Sequence, residues 1–203
     1  MLSSDVKASL DAVHSPSVLA MTSPGPLVSG VTVENILTHP SKPRNRTLAA
    51  GVRTLELAEE IGRGDRMYRE MIRTGRPTPT IDASFDQVRV VLVGSAPDVN
   101  IARYVAQLDP VVRDDTDAML VLLKLCGFRT VNATAMRPLL QKTIDESEAS
   151  LRYLASDHVG MIEPTRQSAR AAHPTIGFAK KPSVGWGPRF RTHGTAGTRS
   201  IGG

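Results

Sequence analysis

The chemistry this chain can offer rests on a few glycines and many arginines. Gly62-Arg63-Gly64 interrupts one helical pattern and stands directly before another, Asp65–Arg73. A glycine pair at a helix start lets backbone N–H groups approach a phosphate. The same pair also works as a plain hinge between two helices, with no ligand. Arg66, Arg69, Arg73 and Arg76 recur at steps of three and four, so they share a helix face. Glu70 lies four residues after Arg66, and a solvated, salt-bridged face is the simpler account of this run. A second basic concentration follows residue 158. There Arg166, Arg170, Lys180, Lys181, Arg189, Arg191 and Arg199 accompany one carboxylate, Glu163. The net charge of +5 belongs to that end, and a polyanion contact is expected there first.

Other chemistry is not encoded in any recognisable spacing. The sequence has no P-loop, no cysteine–histidine metal pattern and no nucleophile elbow. His14, His39, His158, His173 and His193 are scattered. His39 and Asn45 read as a surface histidine and a turn asparagine. No catalytic or metal-binding residue is assigned, and the chain is not expected to be an enzyme. Cys126 is the single cysteine and lies in the apolar run from Ala118, so a buried, inert thiol is expected. No run of eighteen apolar residues and no leader pattern is visible, which points to a cytoplasmic protein without a membrane partner.

These residues need elements to hold them. Val6, Leu10 and Val13 at helical spacing, closed by Pro16, predict an N-terminal helix within residues 1–17. Ser17–Thr22 reads as a short strand. Thr32 caps a short helix reaching His39. Leu48, Val52, Leu55 and Ala58 or Ile61 mark one face of a helix. Met67 and Met71, with Ile72 beside them, lie on one side of the next, Asp65–Arg73, which Gly75 and Pro77 end. Residues 85–93 form a strand paired with Thr80–Ala83, and a helix covers 99–108 behind Pro97 or Asp98.

The stretch PRN, EEIGRG, RMYREM and the G-x-P-x-P exit, preceded by Ser23-Pro24-Gly25, resembles the end of a histidine-kinase-type ATPase module. That module occurs in Schlafen/AlbA-type ATP-binding proteins, which are RecG-related and include transcriptional regulators with a winged helix. The resemblance covers roughly residues 18–180. It implies ATP as cofactor, with Gly25, Arg44, Asn45, Gly62 and Gly64 as the cofactor-binding positions. It also implies an upstream asparagine that holds magnesium, and no asparagine precedes Asn35. Pro26 removes one N–H that could face a phosphate. The chain therefore looks like the C-terminal portion of a longer family member.

Residues 110–180 predict a second unit. Asp114–Leu125 is helical, with Met119, Leu122, Leu123 and Cys126 on its apolar side. Asn132 caps a helix over 133–141, in which Pro138 is awkward. Thr143 and Glu146 form a capping-box pattern before a helix at about 145–157. Strand-like pieces at 160–163 and 175–178 complete a two-stranded ribbon. Three helices followed by a ribbon is the order of a winged helix-turn-helix, which the resemblance also implies. Its third helix would present Ser147, Ser150, Arg152 and Tyr153 to DNA. Arg166, Arg170 and Lys180 would meet phosphates. Asp145, Glu146 and Glu148 repel a duplex, so a unit used for dimerisation or internal packing would look the same.

The expected fold class is α+β, a partial ATPase-type module followed by a winged helix-turn-helix. The expected domains are an N-terminal helix (1–17), the ATPase-like module with its trailing strand (18–94), the winged helix (95–181) and a disordered basic tail (182–203). In that tail Trp186 and Phe190 stand among arginines. The expected function is that of a DNA-binding, transcriptional-regulator-like protein with double-stranded DNA as partner, and homodimerisation is open. The alternatives are an ATP-binding or nucleotide-binding module without a complete catalytic site, and a non-functional fragment.

Overall fold

A computed structural model describes residues 10–55, 64–165 and 177–180. It holds helices and two open antiparallel sheets. The first sheet contains β1 (Asp11–Ser15), β2 (Val18–Pro24), β3 (Thr80–Ala83) and β4 (Gln87–Val93), in the order β1-β2-β4-β3. The β2–β4 register runs from Val18 opposite Val93 to Pro24 opposite Gln87. Two tight reversals close the hairpins. At one, Ser15 Oγ accepts the Val18 N–H at 3.1 Å. At the other, the Ser84 N–H donates to the Gln87 carbonyl at 2.9 Å.

Residues 11–15 are therefore a strand, not the end of a helix closed by Pro16. The helical spacing of Leu10 and Val13 lost to cross-strand pairing, because each residue from Asp11 to Ser15 finds a partner on β2. Pro16 sits at the reversal, where its missing N–H takes nothing from a ladder.

Between β2 and β3 the chain leaves the sheet. It runs through a long loop, then α1 (Arg46–Thr54) and α2 (Gly64–Arg73). The loop holds turns over residues 33–38 and no helix, which corrects the short helix expected from Thr32 to His39. Asn35 explains the difference. Its Oδ1 accepts the Thr32 N–H at 2.7 Å and its amide donates to Gly30 O at 2.9 Å, so the side chain closes a local turn in place of a helical ladder. Ala58 and Ile61 lie outside the described residues. Within α1 no residue is buried, although Leu48 and Val52 share a stripe.

α2 buries Tyr68 and Ile72, and Met67 packs half-buried against the same core. Its C-terminus is fixed by Gly75 (φ +69), whose N–H donates to Ile72 O at 2.9 Å, while the Arg76 N–H reaches Met71 O at 2.8 Å. A Cβ at Gly75 would lie 2.2 Å from Asp98 O, so no other residue fits here.

The C-terminal half contains α3 (Val99–Ala106), α4 (Pro110–Arg113), α5 (Thr116–Gly127), β5 (Thr130–Val131), α6 (Ala133–Leu140), α7 (Ile144–Ala155), β6 (Ile162–Pro164) and β7 (Phe178–Lys180). The last three strands form a sheet in the order β5-β7-β6. The expected two-stranded ribbon thus gains a third strand. Thr130-Val131 is too short to signal itself, yet it pairs with Phe178-Ala179.

α5 is the centre of the core. Ala118, Met119, Leu120, Val121, Leu122 and Leu125 are all buried. A helix apolar on every side needs neighbours on every side. Tyr68 and Ile72 come from α2, Val105 from α3, Met136 and Leu140 from α6, and Leu151 and Leu154 from α7. Ile162 and Phe178 complete the cluster from the small sheet. The cluster crosses the expected boundary between residues 94 and 95, because α2 packs directly on α5. Cys126 is half-buried, not fully buried as expected. It lines a cavity with Phe128, Pro138 and Leu139. Burial also pushes the Tyr104 phenol far above its usual range.

Ser147 is the one buried polar residue among the described residues, and its hydroxyl finds no partner in this apolar surround. A buried, unsatisfied hydroxyl costs its desolvation without return. Ser147→Ala is therefore expected to hold or raise stability, by up to about 1 kcal/mol in urea denaturation. A loss of that size instead would mean that the hydroxyl bonds in solution.

Candidate functional site

The proposed phosphate-facing residues gather along the loop between β2 and α1. Gly25 ends β2 with φ +84, and its N–H donates to Asp86 O. The Arg44 guanidinium lies across it. Arg44 Nη2 donates to Pro26 O, and a Cβ at Gly25 would meet Arg44 Nη1 at 2.7 Å. Lys42 Nζ donates to Ser29 O at 2.6 Å. His39 closes on Pro40 O at 2.7 Å, and its Nε2 lies 3.4 Å from where a Gly30 Cβ would be. The Gly25-Pro26 turn brings the chain back on itself here, and two exposed cations settle on loop carbonyls.

Asn45 is occupied in another way. It caps α1, with Oδ1 accepting the Leu48 N–H at 2.9 Å. Gly64 opens α2, and a Cβ there would lie 3.4 Å from Ile36 O. The loop therefore touches both glycine positions, meeting Gly25 through Arg44 and Gly64 through Ile36. Gly62 lies outside the described residues. Asp65 stands in the first turn of α2, 3.6 Å from Arg69, and already complements the positive helix end.

The geometry fits a polyanion by charge and not by backbone. Arg44 and Lys42 hold carbonyls, which a phosphate oxygen outcompetes as an acceptor. The turn amides are less available, since Gly25 is bonded to Asp86 and Pro26 has none. Lys42 was not among the expected site residues, although the basic turn Lys42-Pro43-Arg44-Asn45 contains it. On α2 Arg69 and Arg73 are engaged structurally. Arg69 Nη1 donates to Thr116 Oγ1 at 3.1 Å, and Arg73 pairs with Glu70 at 2.9 Å and Asp114 at 3.9 Å. Glu70 thus takes Arg73 rather than Arg66.

The second group of expected residues lies on α7, and the structure separates them. Ser147 is fully buried and cannot meet a ligand, which corrects its outward placement. Ser150 Oγ donates to Asp117 Oδ2 at 2.7 Å and accepts from Lys142 Nζ at 3.0 Å. Lys142 also pairs with the same Asp117 oxygen. This network ties α5, α7 and the turn before α7, so Ser150 is an internal strut. The helix phase explains both errors, because Ser147, Leu151 and Leu154 fall on one inward stripe. Arg152 and Tyr153 are exposed as expected. Arg152 donates to Glu148 through Nε at 2.9 Å and Nη2 at 2.6 Å. Arg166 and Arg170 lie outside the described residues, as do the tail aromatics Trp186 and Phe190. Lys180 ends β7, and its side chain is likewise outside them.

The expected capping box is present. The Glu146 N–H donates to Thr143 Oγ1 at 3.3 Å, and the Thr143 N–H donates to Glu146 Oε2 at 2.8 Å. The Thr143 backbone and then its side chain hold the Glu146 carboxyl below the usual range. A lowered folded-state pKa means that the cap stabilises above the ordinary Glu range and loses this contribution as pH falls through the folded value. Glu146→Gln is therefore expected to flatten the acid side of the stability–pH curve relative to wild type. An unchanged acid slope in the variant would show that another carboxylate carries it.

Residues 17–92 match the family described as putative ATP-dependent DNA helicase recG C-terminal. That match runs from β2 to β4 and contains the whole basic loop. The DIP2311 protein from Corynebacterium diphtheriae has a similar fold, with a TM-score of 0.67 and 24% identity. The likeness covers 86% of this chain and 36% of that one. The present chain therefore spans about a third of the length of that structure. No curated protein matches the chain. Among the described residues, no helix is long and apolar enough to cross a membrane.

Proposed function

We propose that this is a DNA-binding, transcriptional-regulator-like protein in which a RecG-related module is fused to a winged helix-turn-helix. One observation carries the reading. α5, β5, α6, α7, β6 and β7 follow one another, and the strands lie in the order β5-β7-β6. That arrangement is the order of a winged helix, with α7 as the helix for the major groove and the β6–β7 connection as the wing. Arg152 and Tyr153 are exposed on α7, beside the exposed Asp145 and Glu146. Arg166 and Arg170 follow β6 in sequence, outside the described residues, and Lys180 ends β7. Phosphate contacts from such arginines are sequence-independent and steeply salt-dependent. Double-stranded DNA is accordingly the proposed partner, and the cytoplasm the proposed compartment.

Fluorescence anisotropy of a labelled random duplex across a salt series tests this. The full chain and a version ending at Lys181 are expected to bind with similar slopes. Binding that disappears with residues 182–203 would move the contact to the tail and leave the winged helix without a DNA role.

A second reading rests on a separate observation, the match over residues 17–92 together with the Arg44–Pro26 and Lys42–Ser29 contacts beside Gly25. In it the loop binds ATP through cationic side chains, with Gly62 and Gly64 at the α2 start. ATP supplies a triphosphate for Arg44 and Lys42 to grip. Calorimetry with ATP and magnesium is expected to give heat that falls in Arg44→Ala. Equal heats in both proteins, or none in either, would rule out this site.

A further inference from the structure

The turn between α6 and α7 carries an unusual residue. Gln141 is the only non-glycine with positive φ among the described residues (φ 56, ψ 40). It ends α6 at the position where glycine or asparagine is the ordinary choice, since a Cβ is disfavoured in this conformation. Local preference therefore does not explain a glutamine.

Its side chain does. Gln141 Oε1 accepts the Leu37 N–H at 2.7 Å, and Nε2 donates to Val33 O at 2.8 Å. The amide thus pairs with the loop backbone as a second strand would, using both of its ends. The Gln141 carbonyl is held as well, by Thr38 Oγ1 at 3.1 Å. Val33, Ile36 and Leu37 pack against the core beside it. All three hydrogen bonds join residues more than a hundred positions apart in sequence. One end of this connection is the loop that also carries Arg44 and Lys42. The other is the turn that leads straight into the Thr143 cap of α7. A cavity of about 680 Å³ lies beside the joint, lined by Glu34 from the loop and by Arg137, Lys142 and Glu146.

We propose that Gln141 is a latch that fixes residues 32–39 of the RecG-related region against the start of α7, so that displacing the loop shifts the exposed face of α7. The consequence for DNA rests on the winged-helix reading above; the latch itself does not. Anything that draws Lys42 and Arg44 off their carbonyls pulls on the loop and is felt at Arg152 and Tyr153.

Hydrogen–deuterium exchange on the full chain tests the latch from both sides. Gln141→Asn tolerates the left-handed conformation but is one methylene too short to hold Val33 and Leu37 together. Gln141→Gly removes the side chain while easing the backbone, which guards against simple misfolding. Both are expected to speed exchange at the Leu37 amide by about tenfold or more, with α5 amides unchanged. From the opposite side, Thr38→Val is expected to speed exchange over residues 142–147, although the substitution lies in the loop. Unchanged exchange at Leu37 in both Gln141 variants, or an effect of Thr38→Val confined to the loop, would overturn the proposal. Duplex anisotropy of the same variants is read separately. If wild type binds duplex, the Gln141 variants are expected to shift that affinity, and identical affinity would overturn the coupling. If wild type binds none, the winged-helix reading falls while exchange still decides the latch.

Discussion

Leu122→Ala is expected to lower the unfolding free energy by about 3 kcal/mol, within the usual cost of emptying a fully enclosed leucine site. Leu122 has no exposed surface and sits on α5, whose apolar residues face every direction. Truncation leaves a void whose walls come from separate helices that hold one another in place, so collapse into it is limited. The loss should appear in urea as a lower midpoint at an unchanged slope, because the surface exposed on unfolding hardly changes. The effect should be shared by both halves of the chain, since Ile72 and Tyr68 on α2 belong to the same cluster. A transition that splits in two, with only the C-terminal part weakened, would show that the shared core does not unite them.

The combined variant Arg152→Ala/Arg166→Ala/Arg170→Ala is expected to weaken duplex binding roughly tenfold or more and to flatten its salt dependence. Each lost phosphate contact removes about 0.9 from the slope of log affinity against log salt, so the three together should be visible beyond error. Arg152 is 59% exposed and paired with Glu148, so releasing it toward a phosphate exchanges one surface ion pair for another. Folding is insulated from this change, because Arg152 lies on the outward side of α7, away from Leu151 and Leu154. An unaltered slope would mean that the arginines do not reach phosphates and that the three-helix unit serves packing or self-association. Asp145, Glu146 and Glu148 already tilt the α7 surface toward that outcome, which is why the slope is the decisive quantity.

The site was legible where chemistry is local. The Thr143–Glu146 cap, the Asn132 cap and the Gly75 terminus each follow from one residue type at one offset, and each is present. Of the expected arginine face, Arg69 and Arg73 make ion pairs, half-buried rather than solvated, and Glu70 is bound to Arg73 rather than Arg66. Side-chain direction on α7 did not. Ser147 and Ser150 look like surface serines by type, but small polar groups fit an inward stripe when neighbours crowd it. Polarity therefore reported the wrong face, and helix phase relative to Leu151 reported the right one.

Most of the individual elements are set by the chain's local character. Strands β2 to β4, helices α2, α3 and α5 to α7, and their caps follow from apolar period, proline and glycine placement and short-range hydrogen bonds. Those forces act within a few residues and need no partner. The features built from distant groups arise in the folded molecule alone. Residues 11–15 became a strand because β2 offered an edge. Thr130-Val131 became a strand because β7 lay beside it. Arg44 came to rest across Gly25, and Gln141 took a left-handed turn to bond residues 33 and 37. Such contacts are stabilised by partners far along the chain, and the energy that selects them exists only once the core has brought both sides together.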